Sequence, residues 1–156
     1  MKPALPLRIA SILALIAALG HTALFLTYKP AHGPDEIVVV TAMQTHVFSF
    51  GGYLHSYWQL YFGYQLFVTI SCLVESAILW QLATLSVSAP SSIRPMIIVL
   101  FLGEVATSIL MLKFFFLIPI VVHSATALCL ALALTVLAQK QQSSFQNSQQ
   151  NKNLSF

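Results

Sequence analysis

The chain of 156 residues is rich in apolar side chains and poor in charge: 58% of its residues are hydrophobic, 7% are charged, and the formal net charge is +3. A soluble domain carries about 25% charged residues, so this composition excludes an ordinary water-soluble globular protein. The basic residues form no cluster, which argues against binding to nucleic acid.

Four apolar segments are long enough to cross the hydrocarbon core of a bilayer, which needs about 20 helical residues. They cover residues 7–26, 60–82, 96–116 and 119–138. We predict an all-α fold in which residues 1–138 form one bundle of four transmembrane helices. Residues 139–156 are rich in Gln, Ser and Asn, and are predicted to be a disordered cytoplasmic tail because they cannot bury a core.

The first apolar segment has two interpretations. Lys2 and Arg8 at its start and small residues near Gly20 also fit a secretory signal, in which case residues 1–20 would be cleaved. Its apolar stretch is longer than the roughly 7–15 residues of a signal core, which favours a retained helix. Small residues recur four apart in this segment, at Ala10, Ala14 and Ala18. Such a stripe lets another helix approach closely.

Between the first two spans, the sequence predicts an amphipathic helix over residues 34–50. Pro34 presets φ at the helix start, and Asp35 and Glu36 suit the positive end of the helix. Apolar residues follow at helical spacing, at Val40, Met43, Val47 and Phe50. Gly51-Gly52 ends the pattern. Because this helix is too short to span a bilayer, we predict that it lies on the extracytoplasmic membrane surface.

Aromatic and basic residues indicate where the membrane boundaries lie. A dense aromatic group marks the start of the second span, at Tyr53, Tyr57, Trp58, Tyr61 and Tyr64. Such rings are typical of the headgroup level of a bilayer. With four spans both termini share a side, and most basic residues fall on it, at Lys2, Arg8, Arg94, Lys140 and Lys152. The positive-inside rule therefore predicts that both termini are cytoplasmic.

Two of the four acidic residues, Glu75 and Glu104, lie inside predicted spans. A carboxyl group in hydrocarbon is costly and is usually paired, protonated or turned toward a cavity, so these residues are the main functional candidates. By helix rise, they lie about 22 Å and about 18 Å from the outer ends of their helices. Because these helices are consecutive and antiparallel, we predict that the two carboxyls share one inward site and one proton.

Polar residues on the same face of the second span extend this predicted site, at Tyr61, Tyr64 and Gln65. Such a site would handle protons or bind a cationic or hydrogen-bonding ligand. The alternative is structural: each carboxyl is protonated and bonded to a neighbouring helix, which holds the bundle together.

Two histidines are further candidates for ligand binding or proton handling. His21 and His123 are predicted to lie about 6–8 Å inside the outer ends of the first and fourth helices. That arrangement would suit a haem b, although two isolated histidines more commonly bond to water or to a backbone carbonyl. Cys72 and Cys129 form no CxxC motif and are predicted to be free thiols, with a disulfide as the alternative. We predict no metal and no cofactor, with haem b or a quinone as the alternative.

Several short motifs between Arg8 and Ala138 occur together, namely Arg8-Ile9-Ala10-Ser11, Gly20-His21-Thr22, Gly33-Pro34, Ala42-Met43, His46-Val47-Phe48, Ser56-Tyr57-Trp58, Tyr61-Phe62-Gly63-Tyr64, Trp80-Gln81-Leu82-Ala83 and Arg94-Pro95. In these motifs the chain resembles a family of small, uncharacterised four-helix bacterial integral membrane proteins. Its layout is also similar to that of the DoxX-like group. The resemblance implies a four-helix fold and a bacterial cytoplasmic (inner) membrane, and it implies no particular activity. Members often carry Arg and an acidic residue where this chain has His55 and Gln59.

These features predict a multi-pass integral membrane protein, and the absence of a catalytic motif favours a binding protein over an enzyme. Its bundle would bind a lipid, a hydrophobic small molecule or a partner protein, and we assign no catalytic residue. One alternative is a membrane oxidoreductase or isomerase that uses the intramembrane Glu and His residues on a quinone or lipid. A second alternative is a small transporter, which without an internal repeat would need to be oligomeric. The predicted partners are the lipid bilayer, a hydrophobic ligand, a second copy or another membrane protein.

Overall fold

The computed structural model describes residues 2–153, apart from the side chains at positions 144, 145, 147, 148 and 151–153. This part of the chain contains five helices and one two-stranded hairpin. In chain order they are α1 (Ala4–Leu26), α2 (Pro34–Thr45), β1 (Val47–Phe50), β2 (Tyr53–Ser56), α3 (Tyr57–Ser88), α4 (Pro90–Phe114) and α5 (Leu117–Asn153). The predicted all-α class is confirmed, with the addition of the hairpin.

Four of the described helices are long and apolar enough to cross a membrane, over Ala4–Leu26, Tyr57–Ser88, Pro90–Phe114 and Leu117–Ser143. They correspond to the four predicted spans and are compatible with a multi-pass membrane protein. Each begins earlier than predicted. In α4 the helix starts at Pro90, because a proline in the first turn sacrifices no helical hydrogen bond.

Contacts divide the chain into two compact units. The first contains the described residues up to Ile16 together with those from Val74 onwards, and the second contains residues 17–73. The core of the first unit consists of fully buried aliphatic side chains with small residues between them. Its members include Leu7, Ala10, Leu79, Ile97, Leu130 and Ala133.

A reciprocal pair of serines joins α1 to α3 within the first unit. The Ser11 hydroxyl donates to the Ser76 carbonyl at 2.7 Å, and the Ser76 hydroxyl donates to the Ser11 carbonyl at 2.9 Å. The small-residue stripe lies beside it, since Ala10 and Ala14 are buried. Small side chains allow the two backbones to approach closely enough for these hydroxyls to reach across.

In the second unit, the predicted helix over residues 34–50 is wrong beyond Thr45. The chain leaves the helix at His46 and forms the antiparallel hairpin of β1 and β2, in which Phe50 pairs with Tyr53. The two residues between them, Gly51 and Gly52, have φ values of 59° and 86°. Positive φ at both central residues defines a type I′ turn, which matches the twist of the strands and favours glycine. The Gly-Gly pair therefore closes a hairpin and does not end a helix.

The first turn of α3 is held by a capping box. The backbone N–H of Ser56 donates to Gln59 Oε1 at 2.9 Å, and the backbone N–H of Gln59 donates to Ser56 Oγ at 3.2 Å. A serine followed three residues later by glutamine satisfies two otherwise unpaired N–H groups at a helix start. This contact explains why α3 begins at Tyr57 and gives Gln59 a structural role.

At the other end of the chain, α5 continues to Asn153. This differs from the prediction of a disordered tail that begins at residue 139. Once a helix is nucleated, each added residue gains a hydrogen bond, and glutamine and lysine are adequate helix formers. The last three residues of the predicted tail, 154–156, lie outside the described part, as does the side chain of Lys152.

Candidate functional site

A hydrogen-bonded pair of ionisable side chains lies inside the first unit. His123 Nδ1 on α5 is 3.0 Å from Glu104 Oε2 on α4. The side chains of His123 and Glu104 are 15% and 6% exposed. Because both residues lie within candidate spans, the pair is placed where an isolated charge would be most costly.

The connection between the two helices brings this pair together. α4 and α5 are joined by only Phe115 and Phe116, so they form a helical hairpin. Glu104 and His123 are separated by 19 residues and lie on opposite sides of this connection. Glu104 lies ten residues before the last residue of α4, and His123 lies six residues after the first residue of α5, so the two are offset by about one helical turn. The short connection places the two helices side by side, but spacing from the turn does not by itself predict this pair, and our prediction did not find it.

Glu75, on α3, lies near this pair in the first unit. Its carboxyl group is close enough to Glu104 for a hydrogen bond between the two carboxyl groups, and close enough to His123 for electrostatic interaction. A hydrogen bond between two carboxyl groups requires a proton on one of them, because a carboxylate has only acceptor atoms. Glu75, Glu104 and His123 therefore form one connected cluster, which we call the Glu–Glu–His cluster.

The protonation of this cluster follows from charge balance. With one proton between the two glutamates and a second proton on the imidazole, the cluster is neutral overall. A neutral arrangement is favoured in a low-dielectric interior, where burying an unpaired charge has an effective cost of about several kcal/mol after the protein relaxes. With Nδ1 bonded to Glu104, the other ring nitrogen of His123 is the one left to exchange a proton or bond a ligand.

The remaining predicted site residues belong to the second unit. Tyr61 and Tyr64 are 41% and 62% exposed, and Gln65 is half-buried. Tyr61 contacts Trp58, with ring centroids 5.6 Å apart. These residues belong to the second unit, whereas the Glu–Glu–His cluster belongs to the first.

His21 is in the second unit and has an unsatisfied nitrogen. Its Nε2 atom is buried and has no hydrogen-bond partner, unlike every other buried side-chain polar atom of the described residues. The ring packs against Phe25, with centroids 5.6 Å apart, and Phe25 in turn meets Phe62 edge-on at 5.4 Å. A polar atom buried without a partner costs about 1–3 kcal/mol. His21 therefore has the capacity for one further hydrogen bond.

The described residues contain no group of three or more His, Cys, Asp or Glu side chains arranged to hold a metal ion. Cys72 is buried, Cys129 is half-buried, and neither forms a disulfide. The alternative of a disulfide is therefore not realised in this structure. The Glu–Glu–His cluster provides hydrogen-bonding and proton-exchanging groups.

Comparison of the chain with protein-family models, curated proteins and solved structures finds no match.

Proposed function

We propose that this protein is a multi-pass protein of a bacterial cytoplasmic membrane whose Glu–Glu–His cluster binds a hydrophobic small molecule or lipid with a hydrogen-bonding head group and exchanges a proton with it. The observation that carries the proposal is the hydrogen bond from His123 Nδ1 to Glu104 Oε2 inside two candidate spans. A carboxylate that orients an imidazole sets its tautomer and leaves the second nitrogen for proton exchange.

Glu75 supports the proposal by supplying a second carboxyl to the same network. A chain of Glu75, Glu104 and His123 has a proton donor and a proton acceptor at each of its links. Neutral side chains are enough to join two helices of this protein, as the hydrogen-bonded serine pair of α1 and α3 demonstrates. Three ionisable side chains in one cluster are more than is needed to hold helices together.

The test is the identity of small molecules that copurify with the protein in mild detergent. Organic extracts of the wild type, Glu104→Gln, His123→Gln and a control, Thr135→Ala, are compared by mass spectrometry. Thr135 is an exposed residue of α5 whose hydroxyl bonds only its own helix at Leu132. We expect a bound molecule in the wild type and the control that is lost from both cluster variants. Identical extracts from all four folded proteins would refute the binding role.

The proposed topology has both termini in the cytoplasm, supported by the bias of Lys and Arg residues. Single cysteines introduced at Lys29 and Arg94, in a background lacking Cys72 and Cys129, would be labelled in intact cells with a membrane-impermeant maleimide. We expect labelling at position 29 in intact cells and at position 94 only after lysis. The reverse labelling pattern would show that the topology is the opposite of the one proposed. It would not bear on the binding role proposed for the Glu–Glu–His cluster.

A further inference from the structure

We propose that Tyr28, Glu36, Trp58 and Tyr61, which we call the aromatic–carboxylate cluster, form a binding site for an ammonium group, supplied either by a phospholipid head group or by a free quaternary ammonium compound. All four residues lie in the second unit. The inference is independent of the function proposed for the Glu–Glu–His cluster.

Three aromatic rings form a continuous row at this site. The Tyr28 and Trp58 centroids are 6.4 Å apart, and the Trp58 and Tyr61 centroids are 5.6 Å apart. Neighbouring rings are inclined by 36° and 39°, so they do not cover each other as a parallel stack would. A cation binds over an aromatic face within about 6 Å of the centroid. At these spacings, one ammonium group can reach two ring faces at once.

Glu36 supplies the negative charge. Its carboxylate accepts hydrogen bonds from Tyr28 Oη at 2.5 Å and from the backbone N–H groups of Ala31 and His32 at 2.6 and 2.7 Å. Within the described residues its one ion-pair partner is His32, which is charged only when protonated. The carboxylate is therefore fixed in position and its charge is not neutralised by a lysine or arginine.

The position of the cluster relative to the candidate spans suits a head group. Tyr28 follows the end of α1 at Leu26, and Trp58 and Tyr61 occupy the first two turns of α3. These three aromatic residues are therefore at the ends of candidate spans, and the ends of membrane spans lie at the level of the lipid head groups. Tyr28 is 42% exposed and Tyr61 is 41% exposed, so the row of rings can be reached from outside the protein.

Charge and shape together select the ligand class. A carboxylate beside aromatic faces attracts cations and repels phosphate, and aromatic faces favour a weakly hydrated alkylammonium over a small metal ion. The site therefore recognises an ammonium group bearing carbon substituents. The hydrogen bond from Tyr28 links the ring row to the carboxylate and keeps both parts in one geometry.

The fluorescence of Trp58 reports on occupancy. The chain has two tryptophans, so a Trp80→Phe background leaves Trp58 as the only one. This protein is reconstituted in nanodiscs of phosphatidylglycerol, which has no ammonium group, and titrated with choline chloride against sodium chloride of equal ionic strength. We expect a saturable change in Trp58 emission with choline. Its apparent affinity should fall about tenfold in Glu36→Gln and in Tyr61→Leu, a loss of the size expected for a charge or a cation–π contact.

Two controls separate binding from misfolding. Tyr64→Leu removes an exposed tyrosine one turn away from Tyr61 and should leave the choline response unchanged. Tyr61→Leu leaves the Glu36 hydrogen bonds in place, so it tests the site even if Glu36→Gln disturbs the loop. An absent choline response, or one that both variants leave unaltered, would overturn the proposal.

Lipid composition distinguishes the two sources of ammonium. The titration is repeated in nanodiscs that contain phosphatidylcholine or phosphatidylethanolamine. A choline response shifted to higher concentration shows that the lipid head group already occupies the site. An unshifted response assigns the site to free quaternary ammonium compounds.

Discussion

His123 Nδ1 lies 3.0 Å from Glu104 Oε2, and both side chains are almost enclosed by apolar helices. The pair links α4 to α5. Its energetic value can be separated from its proposed role in binding.

Removing the two partners of this pair should have effects on stability that do not add. His123→Leu leaves the Glu104 carboxyl buried without that donor, and we expect a loss of about 1–3 kcal/mol in the free energy of unfolding. The double variant His123→Leu, Glu104→Leu should be less destabilised than the sum of the single variants, with a coupling of about 1–3 kcal/mol. Denaturant titration in mixed micelles measures all three. Additive effects would show that the two side chains do not interact energetically.

The serine pair of α1 and α3 should contribute two separable hydrogen bonds. Ser11→Ala removes the bond to the Ser76 carbonyl, and Ser76→Ala removes the bond to the Ser11 carbonyl, while each backbone carbonyl remains. Because hydrogen bonds between membrane helices contribute about 0.6 kcal/mol each on average, each variant should lose about 0.6 kcal/mol and the double variant about 1.2 kcal/mol. The matched control is Ser71→Ala, whose hydroxyl bonds only the Phe67 carbonyl of its own helix. Equal losses in all three single variants would contradict this account.

The hairpin turn should require residues that accept positive φ. Gly51→Ala places a Cβ atom at φ 59° and should destabilise the hairpin by about 1 kcal/mol. Gly51→Asn should be tolerated better, since asparagine adopts this conformation more readily. Hydrogen exchange of the β1 and β2 amides measures the difference. Equal protection in the Ala and Asn variants would exclude a turn-specific effect.

Acid should loosen the loop between α1 and α2 through Glu36. The hydrogen bond from Tyr28, followed by those from His32, lowers the pKa of Glu36 to about 2, from an ordinary value of 4.5. A lowered carboxyl pKa stabilises the folded loop above about pH 4.5, and that contribution is lost as the pH falls toward about 2. Amide exchange at Ala31 and His32 should therefore accelerate across this range relative to its intrinsic rate.

Glu36→Gln provides the control for that acid response. This variant keeps an acceptor oxygen but has no carboxylate to titrate, so its protection at Ala31 and His32 should not change between pH 4.5 and pH 2. The same Glu36 raises the pKa of Tyr28 above its ordinary value, because the Tyr28 hydroxyl donates to the carboxylate. Tyr28 should titrate at lower pH in Glu36→Gln, as ultraviolet absorbance would show.

Composition and hydropathy were sufficient to predict the four long helices, because a stretch of about 20 apolar residues has few other folds. The local spacing of apolar residues was less able to distinguish a helix from a strand. Val40, Met43, Val47 and Phe50 have helical spacing, but Phe48 and Phe50 also flank Ser49 in the alternation typical of a strand. The hairpin forms because Gly51 and Gly52 both adopt the positive φ that its turn requires.

The candidate site was predictable only in part. Glu75 and Glu104 are conspicuous in the sequence because carboxyl groups are rare in hydrocarbon. Which groups surround Glu104 depends on helix rotation and on the level at which each helix begins, and neither follows from periodicity alone. His123 was therefore predicted as a separate candidate, and its bond to Glu104 became visible only in the folded hairpin.

The two-residue connection between α4 and α5 also constrains how the protein enters its membrane. Phe115 and Phe116 are both about half-exposed and carry no charge, so the α4–α5 hairpin presents no hydrophilic loop for export. Lys113 is the one charged residue near its tip. We expect α4 and α5 to partition from the translocon into lipid together, already paired, which would desolvate Glu104 and His123 in a single step.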